Sequence, residues 1–167
     1  MMRTLKVIIL SVGFSLTLVS FTQLLKTAPA VPYPEGFRKW THVKTGLIGP
    51  SSSSFKFAGG FHHIYANEKA MKGYATGHFS NGSIIVFDVI DATEQNGNTA
   101  EGKRNHVDVM VKDSVLYADT GGWGFEEFFE NDKGERMPVI KDLAKQKCFN
   151  CHETKKNEGF VFSKVRN

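Results

Sequence analysis

The sequence predicts a mainly β protein of α+β type, an antiparallel sheet with one short helix and a second helix at the C-terminus. Segments with alternating or β-branched residues outnumber helical signals roughly five to two. Gly pairs and an Asn-Gly step punctuate these segments, as expected of chain reversals between antiparallel strands. The composition is that of an ordinary globular chain, with 41% of 167 residues hydrophobic and 23% charged, which leaves room for one domain.

The chain opens with a basic start, Met1 to Lys6, followed by 15 uncharged residues from Val7 to Phe21. Small residues come next, and Ala28-Pro29-Ala30 fits the A-x-A pattern of a processing site. Residues 1–30 therefore read as a signal peptide. The alternative is an uncleaved anchor, since Leu24 and Leu25 extend the apolar run toward the about 20 residues that a span needs. Either reading exports residues 31–167 as a single domain. The net charge of +4 is mostly that of the leader, where Arg3, Lys6 and Lys26 meet no acid. The rest balances 18 Lys+Arg against 17 Asp+Glu, so no basic stripe survives for nucleic acid.

Along the domain, Phe55 to Tyr65 (FKFAGGFHHIY) alternates and then meets Gly59-Gly60, which reads as a strand with a bulge. Asn67 is placed to cap a short helix over Glu68 to Tyr74. Asn81-Gly82 gives a hairpin-type turn before the β-branched strand Ser83 to Ile90. Asn96 to Gly102 (NGNTAEG) reads as an exposed loop, and His106 to Val111 alternates as a half-buried strand. Ser114 to Ala118 and Gly124 to Phe129 read as two more strands, separated by Gly121-Gly122. Pro138 suits the first turn of a helix that runs to about Lys147.

The sharpest signal follows that helix: Cys148-Phe149-Asn150-Cys151-His152. C-x-x-C-H is the attachment signature of c-type haem. Two thiols three residues apart can each add to a vinyl group on one macrocycle, and the next imidazole becomes the proximal iron ligand. Zinc would need a fourth ligand from a distant histidine. A thioredoxin-like pair expects a βαβ setting, and a plain disulfide gives His152 no role. The reading is one covalent haem c on Cys148 and Cys151, with His152 as axial ligand. Only 15 residues follow His152, and none is Met. The upstream Met71, Met110 and Met137 read as core filler, so a five-coordinate iron with an open distal side is expected.

A β sheet that delivers C-x-x-C-H at its C-terminus resembles the cytochrome P-460 family, and within it the cytochrome c′-beta branch. The residues that carry the likeness are Glu35-Gly36-Phe37-Arg38-Lys39-Trp40, His63-Ile64-Tyr65-Ala66-Asn67-Glu68 and Thr76-Gly77-His78-Phe79. Asn81-Gly82 with its strand, Gly122-Trp123-Gly124-Phe125 and the haem motif complete the series, so that the likeness covers Tyr33 to Val165. It implies a homodimer with one haem per subunit. It also implies that enzymes of the family carry a haem cross-linking lysine on the strand after the turn. Here Phe87 stands there, and no lysine occurs between Lys72 and Lys103.

Phe87 is thus the first candidate for an apolar distal cap, followed by Phe61 and Phe57, while Phe125, Phe128 and Phe129 read as strand core. A ring over iron excludes water and donates no hydrogen bond, which suits NO and CO. His62-His63 read as surface histidines with one ring available to the pocket, and Glu126-Glu127 as the exposed face of a strand. Arg38, Lys145 and Lys147 are unassigned candidates for haem propionates. Asp88 is expected to face away from Phe87. The function that follows is a periplasmic gas-binding cytochrome. The alternatives are a P-460-like enzyme that oxidises hydroxylamine or NO and passes electrons to a partner cytochrome, or a plain electron carrier with a sixth ligand.

Overall fold

The structure is a computed structural model that describes residues 30–140 and 143–166; the leader expected over residues 1–30 therefore lies almost wholly outside the described residues. Six antiparallel strands form one sheet in the order of the chain. They are β1 (Thr41–Ile48), β2 (Gly60–Ala66), β3 (Ile84–Gln95), β4 (Asn98–Lys112), β5 (Trp123–Glu130) and β6 (Arg136–Pro138). A short helix α1 (Phe55–Ala58) precedes β2, and α2 (Glu68–Thr76) links β2 to β3. At the C-terminus a π turn (Lys145–Phe149), an α turn α3 (Asn150–His152) and a 3-10 segment (Glu153–Glu158) carry the cysteines and histidine. The mainly β fold with a helical C-terminus is thus the one expected.

Sequence chemistry explains most boundaries. The Asn67 side chain accepts the Ala70 amide at 2.9 Å and so caps α2, while Gly77 in the left-handed region stops it. Asn96 and Gly97, with φ of 54° and 77°, make the two-residue turn between β3 and β4. The expected loop Asn96 to Gly102 is therefore a tight hairpin, and residues 98–102 lie in β4, because the turn chemistry outweighs the polar composition that follows it.

Three other expectations change. Phe55 to Ala58 is helical, so the strand starts at Gly60; the alternation of FKF spans only three residues, too few to set a period. Ser114 to Ala118 is a turn rather than a strand: the Asp113 carboxylate accepts the Val115 and Leu116 amides, both at 3.0 Å, and bends the chain. Pro138 ends β6 instead of opening a helix, its missing N–H tolerated on that short edge strand.

Alternation gives the sheet two faces. One carries Ile64, Ile85, Met110 and Phe125 under Phe149 and Val161 from the C-terminal segment, with Phe87 and Cys148 packed against them. The other carries Val86, Val107, Val109 and Phe128, covered by Val31 and Phe37 from the chain before β1. Trp123 has no exposed surface, and its Nε1 donates to the Gly159 carbonyl at 3.0 Å. A wholly buried aromatic of this kind contributes about 3 kcal/mol, and here it ties the C-terminal tail to β5. Among the described residues no helix is long and apolar enough to cross a membrane.

Candidate haem site

The C-terminal segment lays Cys148 and His152 against the first face of the sheet and leaves Cys151 exposed. The His152 ring sits 4.9 Å from the Phe125 ring and 5.1 Å from that of Phe162. Its Nδ1 lies 2.7 Å from the Phe160 carbonyl oxygen. A carbonyl only accepts, so Nδ1 carries the proton and the lone pair is on Nε2. Burial lowers the His152 pKa, against the smaller raising effects of the Phe160 bond and Asp108, and keeps the ring neutral. A neutral, oriented imidazole with a free Nε2 is what an iron ligand requires.

The two thiols are not joined to each other. Burial, with the carboxylates of Asp108, Glu127 and Glu126 adding to it, pushes the Cys148 thiol up to about 12. Such a thiol is protonated at neutral pH, a poor redox nucleophile beside the low-pKa cysteines of dithiol enzymes. Two unpaired thiols and a neutral imidazole with its tautomer fixed fit covalent haem and give the redox-pair reading no support.

Register sets what lies beside the motif. Phe87 pairs with Ile64 on β2 and with Asp108 on β4, and Asp108 pairs with Glu127 on β5. Directly paired residues share a face, so Ile64, Phe87, Asp108 and Glu127 form one row on the motif side. In the next row His62, Val89 and His106 follow. The His62 ring stacks on Phe87 at 4.7 Å with planes 17° apart, over Gly46, where a side chain would collide with it. Its Nδ1 is buried without a hydrogen-bond partner among the described residues. Burial, then Lys44 and His63, lowers its pKa. His62 is therefore the ring on Phe87's side and not a surface histidine.

Other candidates fall elsewhere. Phe61 lies on the opposite face, stacked on His63, because adjacent residues of a strand alternate. Phe57, in α1, is 80% exposed. The structure thus brings Phe87 to the motif side but neither Phe61 nor Phe57, a correction to the expected trio. Phe125 and Phe128 are buried as core, whereas Phe129 is 38% exposed. Met110 and Met71 belong to the core on the motif side, and Met137 is half exposed on β6. Arg38 is committed to Asp88 on the far face, through Nε at 3.0 Å and Nη2 at 2.8 Å. Lys145 and Lys147 are exposed, Lys145 lining a cleft of about 330 Å³ with Lys156 and Glu153.

Sequence reasoning missed two features. Glu126 is 2% exposed, not on an exposed face, and its Oε1 accepts the amides of Glu127, Val139 and Ile140 at 3.1, 3.1 and 2.6 Å. It thereby fixes the chain that leads to the motif. The second is the group His106, Asp108 and Glu127, whose ligating atoms all lie within 4.8 Å of one another. Alternation in HVDVMV was a signal for the first two; only the β4–β5 register adds Glu127.

The cytochrome P460 family model matches residues 34–163. The chain belongs to the cytochrome P460 family. No curated protein compared matches it. Membership makes this a haem c protein, for which Cys148, Cys151 and His152 are the residues of suitable chemistry.

Proposed function

We propose that this cytochrome P460-family protein is an exported, periplasmic mono-haem c protein of cytochrome c′-beta type that binds NO, and also CO, under Phe87. The observation that carries the reading is the position of Phe87: it lies on the same face of the sheet as the Cys148–His152 segment and packs into the same core. Haem held there would supply an iron able to bind a diatomic gas.

The chain's own residues do the rest. Cys148 and Cys151 hold the macrocycle through thioethers. His152 offers Nε2 while Phe160 fixes its tautomer through Nδ1. Phe87, backed by Ile64, presents hydrocarbon where a ligand would sit, excludes water and donates no hydrogen bond. The family likeness implies a homodimer, and the reading takes the protein to be one.

A second reading, oxidation of hydroxylamine or NO, is favoured by one observation. Asp108 and Glu127 continue Phe87's row across the sheet and are carboxylates able to accept protons. Burial first, then Asp108, raises the Glu127 pKa.

Absorption spectra of the purified ferrous protein, before and after NO and CO, test the proposal. An ordinary high-spin haem c spectrum that shifts with both gases is expected. A strongly red-shifted ferrous Soret band would mark a modified macrocycle and put the enzyme first. A low-spin spectrum indifferent to both gases would sink both readings.

A further inference from the structure

His106, Asp108 and Glu127 stand in an arrangement that neither gas binding nor haem attachment explains. Asp91 is a carboxylate and only accepts, so Asn105 Nδ2, 3.1 Å from Asp91 Oδ1, fixes which end of the Asn105 amide points there. The other end, Asn105 Oδ1, therefore faces His106 Nδ1 at 2.9 Å and accepts its proton. His106 thus carries its proton on Nδ1 and directs Nε2 at the carboxylates. That atom lies 3.6 Å from Asp108 Oδ2, beyond hydrogen-bond reach. The ring is 4% exposed; burial lowers its pKa, but Asp108, then Glu127 and Asp88, outweigh burial and leave it raised.

Two carboxylates this close need a positive partner, either a proton on Nε2 or a cation that displaces it. Among the described residues no Lys or Arg forms an ion pair with Asp108 or Glu127, although the charge of Lys147 acts on Glu127. The donors are one imidazole nitrogen and two carboxylate oxygens, a mixture that suits a borderline divalent ion better than Ca²⁺ or Mg²⁺. Zinc binds both donor types at about 2.0–2.2 Å, so two ligands of a tetrahedral ion stand about 3.4 Å apart. Ligand atoms that lie within 4.8 Å of one another must therefore close by more than about 1 Å, which asks for a change of the Glu127 rotamer. Asn105 supplies the second-layer acceptor that orients a metal-binding histidine.

We propose that His106 Nε2, Asp108 and Glu127 bind a divalent first-row cation, Zn²⁺ in the first instance, as a second metal centre beside the haem. A cation there would take from Asp108 and Glu127 the proton-accepting role that the oxidation reading gives them. It neutralises two carboxylates on the motif-side face.

The test is calorimetric titration of Zn²⁺ into the haem-loaded protein after treatment with a chelator. One saturable site per chain is expected, absent from the haem spectrum's iron content. Asp108→Asn and Glu127→Gln preserve side-chain shape, and each should weaken binding at least about tenfold; Asn105→Ala should weaken it about tenfold through the tautomer. Circular dichroism checks that each variant is folded. No saturable uptake would overturn the proposal, as would Zn²⁺ binding that neither carboxylate variant alters. NMR detection of a His106 ring protonated on both nitrogens and unchanged by Zn²⁺ would overturn it too, with a proton filling the gap.

Discussion

Phe87 and Asp88 are neighbours in β3, yet the two faces they serve have solved the problem of buried charge differently. On the far face Asp88 has no exposed surface and is held by two guanidinium groups, Arg38 at 2.8 Å and Arg104 at 2.8 Å. On the motif side the ion pair of Asp108 among the described residues is with His106, at 3.6 Å, and Glu127 lies beside them. The first arrangement is closed and serves the fold. The second is open on its positive side, and an incompletely satisfied polar group next to a cofactor motif is a mark of function rather than of stability.

The largest test of this contrast removes one charge from each face. Asp88→Asn removes the buried anion that half-exposed Arg38 and part-buried Arg104 share and should cost about 2 kcal/mol in urea unfolding. Asp108→Asn relieves repulsion and should change stability by less than about 0.5 kcal/mol. Equal losses at both positions would erase the distinction between a structural and a functional face. Of similar size, Glu126→Gln weakens three charge-assisted hydrogen bonds to the backbone and should cost about 2 kcal/mol. It should also loosen amide-exchange protection at Val139 and Ile140, upstream of the motif.

A smaller effect separates the phenylalanines. Phe87→Ala should change the CO dissociation constant of the haem-loaded ferrous protein by about tenfold, or ~1.4 kcal/mol. Phe61→Ala, on the far face, should leave it within about twofold; the opposite pattern would put the ligand on the other side of the sheet. The smallest effect is pH-linked and belongs to His62. Its folded pKa lies below the ordinary 6.5, so the folded state binds fewer protons and its stability falls as pH drops through 6.5 toward the folded value. Urea midpoints measured from about pH 7.5 to about pH 5 should fall less in His62→Phe than in the parent. Parallel pH profiles would mean that His62 is not the group that titrates.

The sequence revealed what depends on neighbours in the chain. The C-x-x-C-H motif was legible because its residues lie within five positions of one another, and the cap on α2 because Asn67 acts on an amide three residues away. β1 was not legible: its exposure changes irregularly along Thr41 to Ile48, with a register shift between His42 and Lys44, so no clean period of two exists. Glu126 looked exposed because its partners, the amides of Val139 and Ile140, lie over ten residues away and carry no side-chain signature. The His106, Asp108 and Glu127 group was hidden for the same reason. Its third member arrives only through strand pairing, which the pattern within one strand does not encode.

The order of the sheet also sets an order of events. Every strand pairs with its neighbours in the chain, so each new ribbon can zip onto the last without waiting for distant sequence, the kind of topology that assembles quickly. The thiols come after all six strands. The platform can therefore pair without the segment that bears the cysteines, and that segment is held to it from outside, by Trp123 at Gly159 and by Tyr74 at Ser163.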